Sequence, residues 1–427
     1  MRDMTLTSFQ KGEVDGGAFM RATLWFRAGF MQRGIDSAAV RDTWRTLVAT
    51  RGLVWAVGVL AVLRLGFEPT AQAPADVRPF GWLGSLLTLP ATPWDAGHYV
   101  AIADRGYDEP LRAAFFPLYP LLARAAGAPL GSPLLGALLV ALAAFAVALY
   151  LLHRLVALEA GERYAGPALL AVALFSTAFF FSALYTESLF LALSVGTFYA
   201  ARRQRWAMAA LCGALAAATR NTGVLLLVPL ALLPCARRRD RLWLAAVPAG
   251  LVAYLAYWAH RGDAWAPFNA QKTYWFRSFE PFGGLVHGAW DGAVSLAQIA
   301  AGPAHHVLAV PTPQQAGQLA APLTLATVNL TDLAFVAFAL VALAGVARRL
   351  PRAYAAYTAV SLAVAVSAPT AYEPLMSLPR YVAVLFPLQV WLAMWAVDRG
   401  RLAQTLTVSA AGLALLSAEF ATWRWVA

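Results

Sequence analysis

Apolar runs of span length recur along this chain, near 46–66, 130–152, 165–183, 185–201, 206–219, 222–235, 242–259, 326–347, 353–369, 380–397 and 402–421. A helix crossing the ~30 Å hydrocarbon core of a bilayer needs about 20 predominantly apolar residues. The pattern therefore predicts an all-α polytopic membrane protein with about 11 transmembrane helices. Composition agrees, with 60% hydrophobic and 13% charged residues where a soluble domain carries roughly 25% charged residues. The runs 206–219 and 222–235 are short. They read as a hairpin with Thr219-Arg220-Asn221-Thr222-Gly223 at its tip, placed against protein or a water-filled cavity, where irregular backbone is tolerable.

The formal charge of +11 suggests nucleic acid at first sight, but the arginines sit in short clusters between the apolar runs. One cluster is Arg202, Arg203 and Arg205, and another is Arg237, Arg238, Arg239 and Arg241. Arg348, Arg349 and Arg352 form a third, and Arg399 with Arg401 a fourth. Cytoplasmic loops of membrane proteins carry such an excess, so the expected partner is membrane lipid and not nucleic acid. Placing all the clusters inside gives an N-in, C-out topology. Residues 1–45, with Arg21, Arg27, Arg33, Arg41 and Arg45, read as a cytoplasmic tail and not a signal peptide. Residues 46–427 read as one transmembrane domain, with outer loops at about 67–129 and 260–325 that hold short amphipathic helices. Cys212 and Cys235 lack metal-ligand spacing and offer no disulfide framework. Lysine is confined to Lys11 and Lys272 while arginine and alanine abound, a bias that suggests a GC-rich bacterial genome and hence the bacterial plasma membrane.

The outer loops carry mixed charge: Asp76, Asp95, Asp104, Asp108 and Glu109 in the first, and Asp263, Glu280 and Asp291 in the second. Trp94 to Ala103 reads as a short helix with Asp95, His98 or Tyr99, and Ile102 on one face. A carboxylate partly withdrawn from water at a membrane face suits a general base, and an Asp after Pro93 equally suits a helix cap. The two roles are compatible. Phe115-Phe116-Pro117-Leu118-Tyr119-Pro120 reads as a rigid turn laying a helix on the membrane surface, and Tyr119 is also a candidate to line a sugar or lipid site. Tyr185-Thr186-Glu187-Ser188 lies between two apolar runs at their outer ends. Glutamate at such depth is either functional or a cap for the next helix. The pair His305-His306 lacks a carboxylate or cysteine at ligand spacing, and no metal site is expected.

Arg220 in the hairpin tip and Arg380 in Leu378-Pro379-Arg380-Tyr381 stand apart from the basic clusters. Guanidinium groups match phosphate oxygens bidentately and stay charged. With Lys272 they suit a lipid-linked phosphate, and pairing with Glu187, Asp104 or Glu373 is the structural alternative. Lys272 within Lys272-Thr273-Tyr274-Trp275-Phe276 also suits an interfacial anchor.

Trp94-Asp95, Gly106-Tyr107, Phe115 to Pro120, Tyr185 to Ser188, Thr219 to Gly223, and Pro379-Arg380-Tyr381 with Phe386-Pro387 occur in that order. Together they resemble the PIG-V (GPI mannosyltransferase 2) family of the GT-C superfamily of integral-membrane glycosyltransferases. The resemblance implies a polyprenyl-phosphate sugar donor, usually mannose, and transfer to a hydroxyl acceptor (glycan, glycolipid or protein) on the non-cytoplasmic face. It implies Asp95 as catalytic base, and the chemistry of Arg220, Arg380 and Lys272 agrees with contacts to the donor phosphate. Trp94, His98, Tyr99, Tyr119, Glu187, Asn221 and Tyr381 are the expected pocket. The lipid-linked sugar is then a co-substrate, with no cofactor expected, and the chain has no glycine-rich phosphate loop. A transporter or flippase for a lipid-linked sugar, or a non-catalytic scaffold, are the competing readings. A transporter should show interrupted helices in two related halves, and the sequence shows no such repeat.

Overall fold

A computed structural model describes residues 36–66, 81–305, 307–309, 319 and 321–426. Lys11, Arg21, Arg27, Arg33, Asp76 and His306 lie outside them. The described residues are helical, with no strand among them. Among the described residues five helices are long and apolar enough to cross a membrane, or six if one bent pair counts as a single span. This is an all-α, membrane-spanning architecture.

The first helix, α1 (Ser37–Leu65), starts earlier than the apolar run because Asp36 caps it, accepting from the Ala38 and Ala39 N–H groups. Arg41 and Arg45, expected in a tail, are therefore helical. The first long loop contains α2 (Gly81–Thr88), α3 (Ala96–Arg105) and α4 (Leu118–Gly127). Next come α5 (Pro133–Glu159), α6 (Glu162–Ala173), α7 (Glu187–Arg202) and α8 (Trp206–Thr219). The chain turns at Arg220 into a 3-10 segment, Asn221–Leu226, and the short α9 (Leu227–Leu232). This is the expected hairpin. Gly223 closes it, since a Cβ there would lie 2.3 Å from the Ala216 backbone in α8.

A 3-10 turn at Arg238–Ala246 leads into α10 (Ala249–His260), and the second long loop holds α11 (Ala266–Tyr274) and α12 (Gly283–Ala301). The remaining helices are α13 (Pro322–Arg349), α14 (Arg352–Ala365), α15 (Leu378–Val384), α16 (Phe386–Asp398) and α17 (Leu402–Ala421). The run expected as one helix near 380–397 bends by 69° between α15 and α16. Pro387 sits in the first turn of α16. A proline there lacks the N–H that would continue the preceding helix, and its ring crowds that helix's last turn.

The run near 165–183 also differs from a continuous span. α6 ends at Ala173, and residues 174–186 fold into turns inside the bundle, with Phe179, Phe181 and Leu184 fully buried. Polar backbone in an apolar interior must find partners within the protein. Arg51 of α1 supplies them: Nη2 donates to the Ala173 carbonyl at 2.8 Å, and Nη1 to the Ala178 carbonyl at 2.7 Å and Ser182 Oγ at 2.8 Å. The Arg51 guanidinium also lies 4.8 Å from the centre of the Phe145 ring, which itself stacks on Phe181.

The basic clusters gather at one end of the bundle. Arg202 pairs with Glu159, which accepts from the Tyr354 hydroxyl. Asp398 is shared by Arg163 and Arg349. Gln204 bonds to Pro234 and Ala236, just before the 237–241 cluster. The turns after α5, α7, α9, α13 and α16 thus share a face, and the starts of α7 and α15 lie at the opposite end.

Replacing Arg51 with Met keeps the bulk but strips donors from three buried acceptors. Stability should fall by at least about 3 kcal/mol, given roughly 1–3 kcal/mol for each group left unsatisfied. Thermal unfolding in detergent measures this, and an unchanged midpoint would mean that the 174–186 turns hold without the guanidinium.

Candidate active site

Residues 174–186 position the site. The Tyr185 hydroxyl donates to the Pro93 carbonyl at 3.1 Å and accepts from the Asp95 N–H at 3.0 Å, fixing the start of α3. Thr177 Oγ1 donates to the Pro379 carbonyl at 3.2 Å, fixing the start of α15. Trp94, between those two anchors on Tyr185, has φ of 58°. A left-handed backbone is uncommon for a bulky residue and persists only where the surroundings hold it. Here Trp423 and Trp425 pack on the Trp94 indole, with ring centroids 5.8 and 5.0 Å away.

Asp95 stands at the N-cap position of α3, yet its side chain makes no capping hydrogen bond. It faces Arg380 instead, whose Nη1 donates to Oδ2 at 2.8 Å. Arg380 Nε donates to Glu187 Oε1 at 3.0 Å, and Arg220 Nη2 lies 3.2 Å from that same oxygen. Asp95, Arg380, Glu187 and Arg220 therefore form one alternating chain of charges. Glu187 is fully buried and serves both arginines. Of the carboxylates weighed as partners for these arginines, Glu187 is the one they use. Glu373 instead accepts from Trp425 Nε1 at 3.1 Å, and Asp104 lies by Arg105.

A cavity of about 590 Å³ opens over this chain. Asp95, Tyr99, Arg220, Asn221, Lys272, Arg380 and Tyr381 all line it, brought together from both long loops, the hairpin tip and the start of α15. The charged lining is four basic groups to one acidic, since Arg277 joins Arg220, Lys272 and Arg380 opposite Asp95. Lys272 makes no hydrogen bond or ion pair among the described residues. Arg220 Nη1 is buried without a hydrogen-bond partner among the described residues, an unusual state for a charged donor. That guanidinium also lies 5.3 Å from the centre of the Tyr381 ring.

Trp94, His98, Tyr119 and Glu187 do not line the cavity. Trp94 packs in the tryptophan cluster, and Glu187 sits behind the two arginines. Tyr119 is fully buried; its hydroxyl donates to the Ala137 carbonyl at 3.0 Å and fastens α4 to α5. His98 packs on Phe115 with ring centroids 4.8 Å apart. Burial holds its imidazole below the usual range, although nearby Asp95 favours the charged form. His305 offers its backbone carbonyl to Gln298 Nε2 at 2.6 Å. Among the described residues no three His, Cys, Asp or Glu side chains gather where a metal would need them.

Sequence reasoning missed Arg277, and with it Asn269 and Gln271 in the wall. Arg277 donates to the Ala368 and Met376 carbonyls, each at 3.1 Å, which aims a charge without neutralising it. The one signal in the chain was a second basic residue soon after Lys272 in a loop otherwise short of positive charge.

Glu187→Gln keeps the shape but leaves two buried guanidinium groups without their shared carboxylate. Breaking a buried pair costs about 3–5 kcal/mol, and chemical denaturation should show a loss of that order. A variant as stable as the parent would mean that Asp95 and the aromatic rings suffice to hold Arg380 and Arg220.

Residues 72–238 match the family model described as mannosyltransferase (PIG-V). The stretch contains the Trp94-Asp95, Phe115–Pro120, Tyr185–Ser188 and Thr219–Gly223 motifs, whereas Pro379-Arg380-Tyr381 lies beyond it. No curated protein and no solved structure matches the chain. Over that stretch of less than half its length, the chain is similar to the mannosyltransferase (PIG-V) family, and the similarity points to glycosyltransferase activity.

Proposed function

We propose that this protein is an inverting glycosyltransferase that moves a sugar, mannose by family resemblance, from a polyprenyl-phosphate donor to a hydroxyl acceptor. The observation that carries the reading is the cavity in which Asp95 lies among four basic groups, of which Lys272 and Arg277 are joined to no carboxylate among the described residues. The acceptor oxygen attacks the anomeric carbon as its proton passes to the Asp95 carboxylate. The bond from that carbon to the phosphate oxygen breaks, and its electron pair leaves with the polyprenyl phosphate. Arg220, Arg277 and Lys272 stabilise the charge on the leaving group, which grows as the bond breaks. Arg380 holds the carboxylate in place and extends the positive wall. A single displacement inverts configuration at carbon, so a β-linked donor gives an α-linked product.

The cavity volume falls within the ~300–1,000 Å³ of small-ligand sites. Its apolar lining, including Phe116, Phe268 and Phe279, suits a donor whose chain stays in lipid. We read the helices as eleven passages: α1, α5, α6, α7, α8, the 221–232 segment, 238–260, α13, α14, the α15–α16 pair and α17. The arginine-rich end then lies in the cytoplasm and the cavity faces outward. In this reading the chain from α1 onward is one transferase domain in a bacterial plasma membrane. A carrier that only binds the lipid-linked sugar would need the arginines but not a carboxylate among them, which favours transfer over transport.

In proteoliposomes with polyprenyl-phosphate mannose and candidate acceptors, Asp95→Asn should reduce transfer by about 10²–10⁴-fold, the usual worth of a general base. Donor binding should survive, because the neutral amide removes no positive charge. Full transfer by that variant would remove Asp95 from the chemistry. Arg220→Ala should weaken donor binding about 10–100-fold, from roughly 1.5–3 kcal/mol for hydrogen bonding to a charged group. An unchanged affinity would reject its contact with phosphate.

A further inference from the structure

At the arginine-rich end of the bundle, α13 and α16 enclose a second cavity of about 540 Å³. Val341, Ala344, Trp391 and Trp395 form its apolar part, and Arg348 and Arg399 also line it. Gly345 makes the floor possible, because a Cβ there would lie 1.9 Å from Trp391 Nε1, so the indole rests directly on the α13 backbone. The Trp391 and Trp395 ring centroids are 6.5 Å apart. Two indoles of α16 with arginines at the C-terminal ends of α13 and α16 form a membrane-interface arrangement.

The acid in the lining, Asp398, is already engaged by other residues. Arg349 Nη2 lies 2.5 Å from Oδ2, Arg163 Nη2 lies 3.1 Å from Oδ1, and the Tyr164 hydroxyl donates to Oδ1 at 2.7 Å. The exposed guanidinium groups of Arg348 and Arg399 make no hydrogen bond or ion pair among the described residues. The cavity therefore presents two uncompensated charges beside an apolar wall. That wall continues into Val341, 63% exposed on a helix long and apolar enough to cross a membrane.

We propose that this cavity binds the headgroup phosphate of an anionic phospholipid, with Arg348 and Arg399 on the phosphate oxygens. The glycerol and upper acyl carbons lie against Val341, Ala344 and the two indoles. A soluble anion would gain nothing from that wall, and a zwitterionic headgroup would bring its own cation toward two unpaired guanidinium groups. The site does not depend on the transfer reaction, and it lies at the far end of the bundle from Asp95.

Native mass spectrometry of the full chain, extracted with mixed phosphatidylglycerol and phosphatidylcholine, tests the assignment. The parent should retain a phosphatidylglycerol that resists delipidation, and Arg348→Ala/Arg399→Ala should hold it about 30-fold more weakly, from the usual worth of two basic groups near an anionic lipid. In nanodiscs, brominated phosphatidylglycerol should quench the parent's fluorescence more than it quenches Trp391→Phe, and brominated phosphatidylcholine should show no such difference. Equal retention of both lipids by the parent would overturn the proposal without recourse to any variant. So would undiminished retention by the double variant, or displacement of the lipid by millimolar inorganic phosphate, which would identify a soluble-anion site.

Discussion

The ion-pair chain from Asp95 through Arg380 and Glu187 to Arg220 is the interaction on which the architecture converges. Its closest contact, Arg380 to Asp95, joins residues 285 apart in sequence, and Arg380 to Glu187 spans 193. Charges this deep are costly to desolvate, and attraction repays the cost only with good geometry and additional partners. Alternating signs supply the first partner, and aromatic rings supply others. The Arg380 guanidinium lies 4.6 Å from the Tyr185 ring centre and 5.3 Å from that of Phe180. Four segments from both halves of the chain must dock before this chain of charges is complete, so the site and the tertiary fold form together.

That docking depends on backbone that is not helical. The 174–186 turns carry Thr177, which holds Pro379, and Tyr185, which holds Pro93 and Asp95. Arg51 accounts for how such turns exist among apolar helices, since one guanidinium fills the roles that helical N–H groups would otherwise fill. In lipid, helices gain little from burying apolar surface against one another, and close packing with interhelical hydrogen bonds does more. Gly223 against α8 and Gly345 under Trp391 are the packing part of that account. Arg51 and Tyr185 are the polar part.

The helical class, the hairpin tip and the grouping of arginines were legible because each rests on a local signal: run length, a small polar interruption, or charge density. Asp95, Arg220 and Arg380 stood out for the same reason, as charges where charge is expensive. Other features left no local trace. The run near 165–183 reads as a span because Phe179, Phe181 and Leu184 are as apolar as any helix, and the residue that breaks it, Arg51, lies more than a hundred positions earlier. Asp95 looked like a cap because a cap needs only residue type and position, whereas its real partner comes from α15. Tyr119 and His98 drew attention by chemistry shared with substrate-binding residues, yet backbone and ring contacts use them. Arg277 escaped notice because its carbonyl partners are set by tertiary folding.

Arginine thus does three different jobs in one chain, and the partner of each guanidinium separates them. Arg51 is spent on carbonyl groups and is structural. Arg380 is bound to carboxylates yet also faces the cavity, so it orients Asp95 while adding field. Arg220, with one nitrogen on Glu187 and another unpartnered, is held in place but not satisfied. A guanidinium already fixed by a carboxylate is preorganised for an anion, because binding then costs little rearrangement of the protein. Lys272 and Arg277 extend that positive charge from the second long loop, which packs on the first through Trp275 against Phe115 and through Arg261 donating to the Tyr107 carbonyl. A phosphate there would bridge two loops that otherwise share few fixed polar contacts, and the transferred group would lie beside Asp95.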